Sequence, residues 1–337
     1  MPLSSRSLLR ACIPCFALAL AAIFFIIHKV HLQSVEKVLQ TMHVKWFLVA
    51  LMLFGFLFLP AAVRWHVALK ANRSAVNLST SLRLSLIGHF FYMVLFGVAG
   101  GDATKSALYA RWNRLPVLGI LAASSLDRLL GFLGLVIFTT FAFTLAAIHG
   151  GLTKAASLPI RWPGRWWLLL VPIVIAVLVL VGRSSRKSLL YQFLRKFGGS
   201  VRQLIRSPGH LLVGIISAVL VQAALSGVLA VCLQAVSREP IAWLQLAWTF
   251  PIISVVSALP ITVAGVGVRD SAAMVLLGWY HVPMANAVAA SLLTAFISLA
   301  WMTMGAAVLW REAVRREPAF RLKSFSSLIA RLKGSVA

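Results

Sequence analysis

Three aspartates, Asp102, Asp127 and Asp270, lie within apolar sequence long enough to be buried in a lipid bilayer, although the chain has only seven acidic residues. Each has a cation within three positions. An ionised side chain is costly in hydrocarbon, and where one occurs inside a membrane segment it commonly marks a functional site. The neighbouring cations are Lys105, Arg128 and Arg269.

Glycines precede two of these aspartates: Gly100 and Gly101 before Asp102, and Gly265 and Gly267 before Asp270. A glycine-rich break in a membrane helix leaves backbone N–H groups available, and the next helix start adds positive partial charge. Arginine and lysine nearby would complete a pocket for a phosphate or carboxylate. The pattern therefore favours an anion-binding cavity, with structural ion pairs that clamp helices together as the alternative.

Within such a cavity we expect Arg128 and Arg269 to contact the anionic headgroup, and Asp127 and Asp270 to orient those arginines or exchange protons. Asp102 and Lys105 would form a gate on the cytoplasmic side. The sequence shows no phosphate-binding loop, no serine-nucleophile elbow and no Cys/His cluster at metal-binding spacing. We therefore predict no metal, no cofactor and no enzymatic activity.

The composition indicates the class of protein that must position these charges. Hydrophobic residues make up 61% of the 337 positions, charged residues only 12%, and the mean hydropathy is +0.93. These values predict an all-α polytopic membrane protein rather than a soluble one. Lys and Arg number 32 against seven acidic residues, and most of these cations lie between the hydrophobic segments. That distribution fits anionic lipid headgroups, and no nucleic-acid-binding motif accompanies it.

The sequence predicts about six full membrane spans and two broken or re-entrant elements, since a helix needs about 20 residues to cross the hydrocarbon core. The first apolar run is interpreted as a retained helix because it is long for a signal peptide and lacks a small-x-small cleavage site. The predicted spans are 11–28, 46–64, 117–148, 166–182, 209–236 and 283–310, and the broken elements are 84–101 and 243–280.

Counting cations gives an orientation. The N-terminus, the segments 64–116 and 183–208, and the tail from 311 together hold 23 of the 32 Lys and Arg. Positively charged loops stay on the cytoplasmic side, so both termini are predicted to be cytoplasmic. The basic segment 184–207 has apolar residues at helical spacing, which fits either an interfacial helix or an ordinary topology signal.

This orientation predicts an inverted repeat, with halves at about 11–148 and 166–310 inside a single transmembrane domain, 1–310, followed by a basic cytoplasmic tail, 311–337. The two breaks also resemble each other in sequence, AGGDATKSAL against AGVGVRDSAA. Inverted repeats of this kind are typical of secondary transporters, whose sites lie near the membrane midplane. Alternatively, 243–280 forms two short full spans, which would preserve the orientation and remove the symmetry.

Four motifs give the chain a family resemblance: Arg64-Trp65 after the second span, Gly100-Gly101-Asp102 with Lys105, Asp127-Arg128-Leu129-Leu130, and Pro260-Ile261-Thr262 followed by Gly265, Gly267, Arg269 and Asp270. With these motifs the chain resembles the transmembrane, flippase-like domain of lysylphosphatidylglycerol synthases over nearly its whole length. It departs from the family pattern at Val263 and Ala264, where proline and glycine are usual, and it has aspartate at 127 and 270 where the family usually has glutamate.

The resemblance implies translocation of a lipid whose anionic or phosphate-bearing headgroup moves along a polar path at the midplane of the cell (inner) membrane. It does not imply lysyl transfer. In the bifunctional family members that reaction is assigned to a separate soluble domain, which we do not find in this sequence. The expected partners are membrane lipids, anionic or polyprenyl-phosphate-linked, with homo-oligomerisation left open. The alternative is a membrane-embedded enzyme or assembly factor in envelope lipid or glycolipid biosynthesis.

Overall fold

The structure, a computed structural model, describes residues 37–38, 40–72, 74, 76–94, 98–148, 189–237, 243–258 and 268–316. The predicted spans 11–28 and 166–182, both glycines of the second break and nearly all of the basic tail lie outside these residues.

About 90% of the described residues are helical, and this part of the chain contains no strand, which confirms the all-α membrane fold. Four stretches are long and apolar enough to cross a membrane: Val44–Ala71, Val117–Ile148, Pro208–Val236 and Met284–Glu312. The helices are α1 Val44–Phe56, α2 Phe58–Ala71, α3 Leu78–Val94, α4 Val98–Trp112, α5 Val117–Ile148, α6 Leu189–Ile205, α7 Pro208–Val236, α8 Trp243–Ala258, α9 Val268–Gly278 and α10 Met284–Arg316.

Helix α7 is the centre of the bundle and packs against α1, α2, α5, α8 and α10. It is apolar on all sides, as expected for a membrane helix with one part of its surface against other helices and the rest facing lipid. Small residues allow close contact: a side chain added at Gly134 of α5 would overlap the backbone of Ala218 in α7. Close approach at small residues is the usual way in which membrane helices associate.

Helices α3 and α4 form a hairpin that enters and leaves at one end of the bundle, where α2 ends and α5 begins. The broken or re-entrant element predicted at 84–101 corresponds to most of α3 and the start of α4. Helix α3 continues to Val94, and Gly100 and Gly101, the predicted break glycines, lie in the first turn of α4. Gly101 serves a close contact, because a Cβ there would lie 2.6 Å from the carbonyl oxygen of Gly88.

Helices α8 and α9 lie within 243–280, the second element that was predicted to be broken or re-entrant. They have 16 and 11 residues, about 24 Å and 16 Å of helix at 1.5 Å per residue. Both are shorter than the roughly 30 Å of hydrocarbon. These lengths fit a second hairpin better than two full spans; its re-entrant placement in a membrane stays a prediction.

A repeated turn connects each hairpin to the long helix that follows it. Arg114 and His281 both have left-handed backbone conformations, with φ of 53° and 60°. The N–H of Leu115 donates to the Ala110 carbonyl, and the N–H of Val282 donates to that of Leu277. Each residue of the second turn lies 167 positions after its counterpart in the first turn, as His281 does after Arg114. The two turns are thus the same structure at equivalent positions.

The packing of the helices repeats as well. Helix α3 contacts α2, α4 and α10, and its counterpart α8 contacts α7, α9 and α5. Helix α5 begins beside the end of α2, where Gly119 faces Asn72. Helix α10 begins at the opposite end of the bundle, where Val288 packs in a cluster with Val38, just before α1. The two halves are therefore inverted relative to each other.

The repeated turn also corrects the alignment of the two breaks. The sequence similarity AGGDATKSAL against AGVGVRDSAA corresponds to a separation of 165 positions, whereas the turns are 167 apart. Because α4 and α9 run without interruption into their turns, the same separation applies along both helices. Asp102 is consequently equivalent to Arg269.

Candidate functional site: a buried network of five charges

The most buried part of the site is an ion pair between α2 and α5. Nε of Arg64 donates to Oδ1 of Asp127 at 2.8 Å, and a second guanidinium nitrogen lies 3.4 Å from Oδ2. The two side chains are 9% and 2% exposed. Gly131, one turn after Asp127, leaves room for the guanidinium, since a Cβ there would lie 2.8 Å from Nη1 of Arg64.

Lys105 of α4 connects this pair to a second carboxylate. Its Nζ lies 2.9 Å from Oδ1 of Asp102 and 3.9 Å from Oδ2 of Asp127. The ammonium also lies 5.0 Å from the ring centroid of Trp65, which gives a cation–π contact. The side chain is only 8% exposed. Lys105 thus neutralises part of both acids and ties the hairpin to α5.

Arg128 completes the network at its open end. Its Nε donates to Oδ2 of Asp102, whereas Lys105 contacts the other oxygen, Oδ1. The Arg128 side chain is 47% exposed, against 15% for Asp102. On the same side of α5, Leu129 and Phe132 are exposed apolar residues, as expected of a surface that faces lipid. Arg128 therefore lies between the buried charges and the lipid-facing surface.

Polar neighbours hold the aromatic wall of the network in place. The indole Nε1 of Trp65 lies 3.1 Å from the hydroxyl oxygen of Ser124, to which it donates. Ser124 shares a second hydrogen bond, 2.7 Å long, with Ser106 of α4. Tyr109 packs edge-on against Trp65, with ring centroids 5.7 Å apart. These contacts fix the position of the ring beneath Lys105.

The network lies between the middle of the bundle and one of its ends. Asp127 follows the start of the 32-residue helix α5 by ten residues, about 15 Å. Arg64 precedes the end of α2 by seven residues, about 10 Å. By the cation count of the sequence, this end is the one predicted to face the cytoplasm.

Asp270 lies in the second half of the repeat. Its buried carboxylate accepts a hydrogen bond from the hydroxyl of Ser291, seven residues after the start of α10. Because α5 and α10 begin at opposite ends of the bundle, Asp127 and Ser291 lie inward from opposite ends. That Asp270 shares one cavity with Asp102 and Asp127 stays a prediction.

The structure thus brings four of the predicted site residues together and adds one. Asp102, Lys105, Asp127 and Arg128 share the network, although Asp127 and Arg128, neighbours in sequence, bond to other partners. The side chain of Arg269 lies outside the described part of the structure. Arg64 was missed because the second span was predicted to end there, whereas the helix continues to Ala71. A second span predicted to continue to Ala71 would have placed this arginine inside the membrane helix.

The network has the chemistry of an anion-binding site in which one of its own carboxylates can be exchanged for a bound anion. Three cations surround two carboxylates, so an incoming anion could replace one carboxylate at Arg128, where arginine offers a forked pair of donors. Among the described residues no three His, Cys, Asp or Glu side chains are grouped as a metal site would require.

Comparison with known proteins gives one family. No curated protein matches the chain with significance. A sequence profile described as the lysylphosphatidylglycerol synthase TM region matches residues 15–307, nearly the whole chain, and thus covers α1 to α9, most of α10 and every member of the charge network. The protein therefore belongs to the lysylphosphatidylglycerol synthase transmembrane-region family.

Proposed function

We propose that this protein is a lipid translocator, which moves an anionic or phosphate-bearing headgroup between the leaflets of the cell membrane. Its family is membrane-embedded and linked to lipid handling. One observation carries the proposal: Arg128 extends from a buried charge network to the lipid-facing surface of α5. A headgroup could reach it laterally from the bilayer without leaving its leaflet.

The fold supports movement of that headgroup as well as binding. The hairpin α3–α4 carries Asp102 and Lys105, while α2 and α5 carry the other three charges. Separation of the hairpin from α5 would break the contacts of Asp102 with Arg128 and of Lys105 with Asp127. Inverted repeats provide two such hairpins, one for each side of a membrane. In this proposal no chemical bond changes, and the protein is not an enzyme.

The proposal is tested with purified protein in liposomes that contain a lipid with a fluorescent headgroup. A membrane-impermeant quencher then reports how fast the headgroup crosses. The wild type should accelerate exchange, and Arg128→Ala should reduce the rate at least about tenfold, the equivalent of about 1.4 kcal/mol, which one charge-assisted hydrogen bond can supply.

The matched control is Arg83→Ala, which removes an arginine from a separate ion pair with Glu312, 2.6 Å long, between α3 and α10. It should leave exchange near the wild-type rate. The proposal fails if wild-type protein exchanges no lipid faster than liposomes with an unrelated membrane protein. A new lipid product in the same liposomes would instead favour the membrane-embedded enzyme.

A further inference from the structure

The charge network has one more positive than negative member. Its cations are Arg64, Lys105 and Arg128, and its anions are Asp102 and Asp127. Each carboxylate is shared by two cations, so both of its oxygens are in use. Among the described residues, no further carboxylate contacts these cations. One unit of positive charge is therefore left for a ligand.

Uncompensated charge is unfavourable in a medium of low dielectric constant, and binding that brings the total to zero is favoured over binding that overshoots. From this we propose, on the basis of the function proposed above, that the protein prefers a headgroup whose only charge is the single negative charge of a phosphodiester. A zwitterionic headgroup leaves the excess positive charge in place. A phosphomonoester brings between about 1.5 and 2 negative charges at pH 7 and overshoots.

Asp102 is the residue that sets this selectivity. It is less buried than Asp127, and Arg128 is its most exposed partner. In the ligand-free state its carboxylate occupies Arg128 much as a phosphate would, through an anionic oxygen that accepts from the guanidinium. An incoming phosphodiester replaces that contact, while Lys105 holds Asp102 at 2.9 Å and keeps its charge in the site. The second negative charge of a monoester meets this retained carboxylate.

The experiment compares two lipids that share acyl chains, one with a phosphodiester headgroup and one with a phosphomonoester, in neutral liposomes at about pH 8, where the monoester is fully ionised. Wild-type protein should move the diester at least about tenfold faster. Asp102→Asn removes one negative charge without changing the shape of the side chain. The preference should then fall to about equal rates or reverse.

Glu312→Gln is the matched control, because it removes one buried negative charge from the ion pair with Arg83, outside the network. It should preserve the diester preference. A second variant, Arg128→Gln, makes the network neutral and should reduce diester exchange relative to exchange of a zwitterionic lipid, so the inference does not depend on Asp102→Asn alone.

The inference is overturned if wild-type protein moves the monoester as fast as the diester, if folded Asp102→Asn keeps the tenfold preference, or if Glu312→Gln changes the preference as much. These outcomes leave the proposed translocation intact. Failure of the wild type to move any lipid contradicts the translocation itself. Folding of each variant is checked by its elution as a single species and its thermal unfolding in detergent.

Discussion

The two halves of the bundle share a fold but not a chemistry. In the first half, α2, α4 and α5 meet around five charged side chains. At the equivalent positions of the second half, Asp102 becomes Arg269, but Lys105 becomes Ala272 and Asp127 becomes Thr294. Thr294 donates to the carbonyl of Ala290 in its own helix. Only one of these three positions keeps a charge.

This difference separates what the fold requires from what the function requires. Both halves retain the left-handed turn and the pattern of packed helices, because each hairpin must connect to the long helix that follows it. The bundle forms in the second half without the charged residues of the first. Their presence in only one half indicates that the charge network is not needed to build the repeat.

The largest effect should follow from Arg64→Ala. Asp127 is 2% exposed, and without its arginine the carboxylate keeps only the more distant Lys105 at 3.9 Å. Breaking a buried ion pair by removing one member costs about 3–5 kcal/mol. We expect a loss of this size in the free energy of unfolding, measured by denaturant titration in detergent.

The double variant Arg64→Met with Asp127→Leu is the control, because replacing both members of a buried pair by apolar residues is often close to neutral for stability. It should recover most of the loss while lipid exchange stays impaired. If Arg64→Ala costs less than about 1 kcal/mol, the pair is not a buried one, and the two halves differ less in their buried charges.

The long helices and the relative orientation of the two halves could be predicted from the sequence. Hydropathy predicted the long helices, and the cation count predicted that the halves are inverted. Clustering of the charges could be predicted only in part, because Arg64 and Asp127 are 63 positions apart and no local pattern reports a contact between distant helices. That Asp270 joins the other two aspartates in one cavity stays a prediction.

A smaller effect should follow from Gly134→Ala, which tests the packing difference between the halves. Gly134 allows α5 to contact Ala218 of α7 closely. At the equivalent position of α10, Trp301 fills the gap to α1 and donates through its indole N–H to the Leu51 carbonyl at 3.0 Å. An added methyl at Gly134 must push the helices apart, and overpacking of this kind costs about 1–3 kcal/mol.

Gly198→Ala is the control for this variant, because Gly198 lies within α6 with no atom near an added Cβ. It should stabilise the protein by about 0.5–1 kcal/mol through helix propensity alone. Equal effects of the two substitutions on thermal unfolding would mean that α5 and α7 are not in close contact at this level.

The smallest effect tests what the halves have in common. Arg114→Gly and His281→Gly each place glycine at a left-handed position, where a side chain is strained by about 1–2 kcal/mol. Glycine relieves that strain but increases the entropy of the unfolded chain, so the gain should be at most about 1 kcal/mol. Arg111→Gly, in the last turn of α4, should instead destabilise by about 0.5–1 kcal/mol. Since both turns have the same backbone, the two gains measured by thermal unfolding should agree, and opposite signs would show that only one half retains the shared turn.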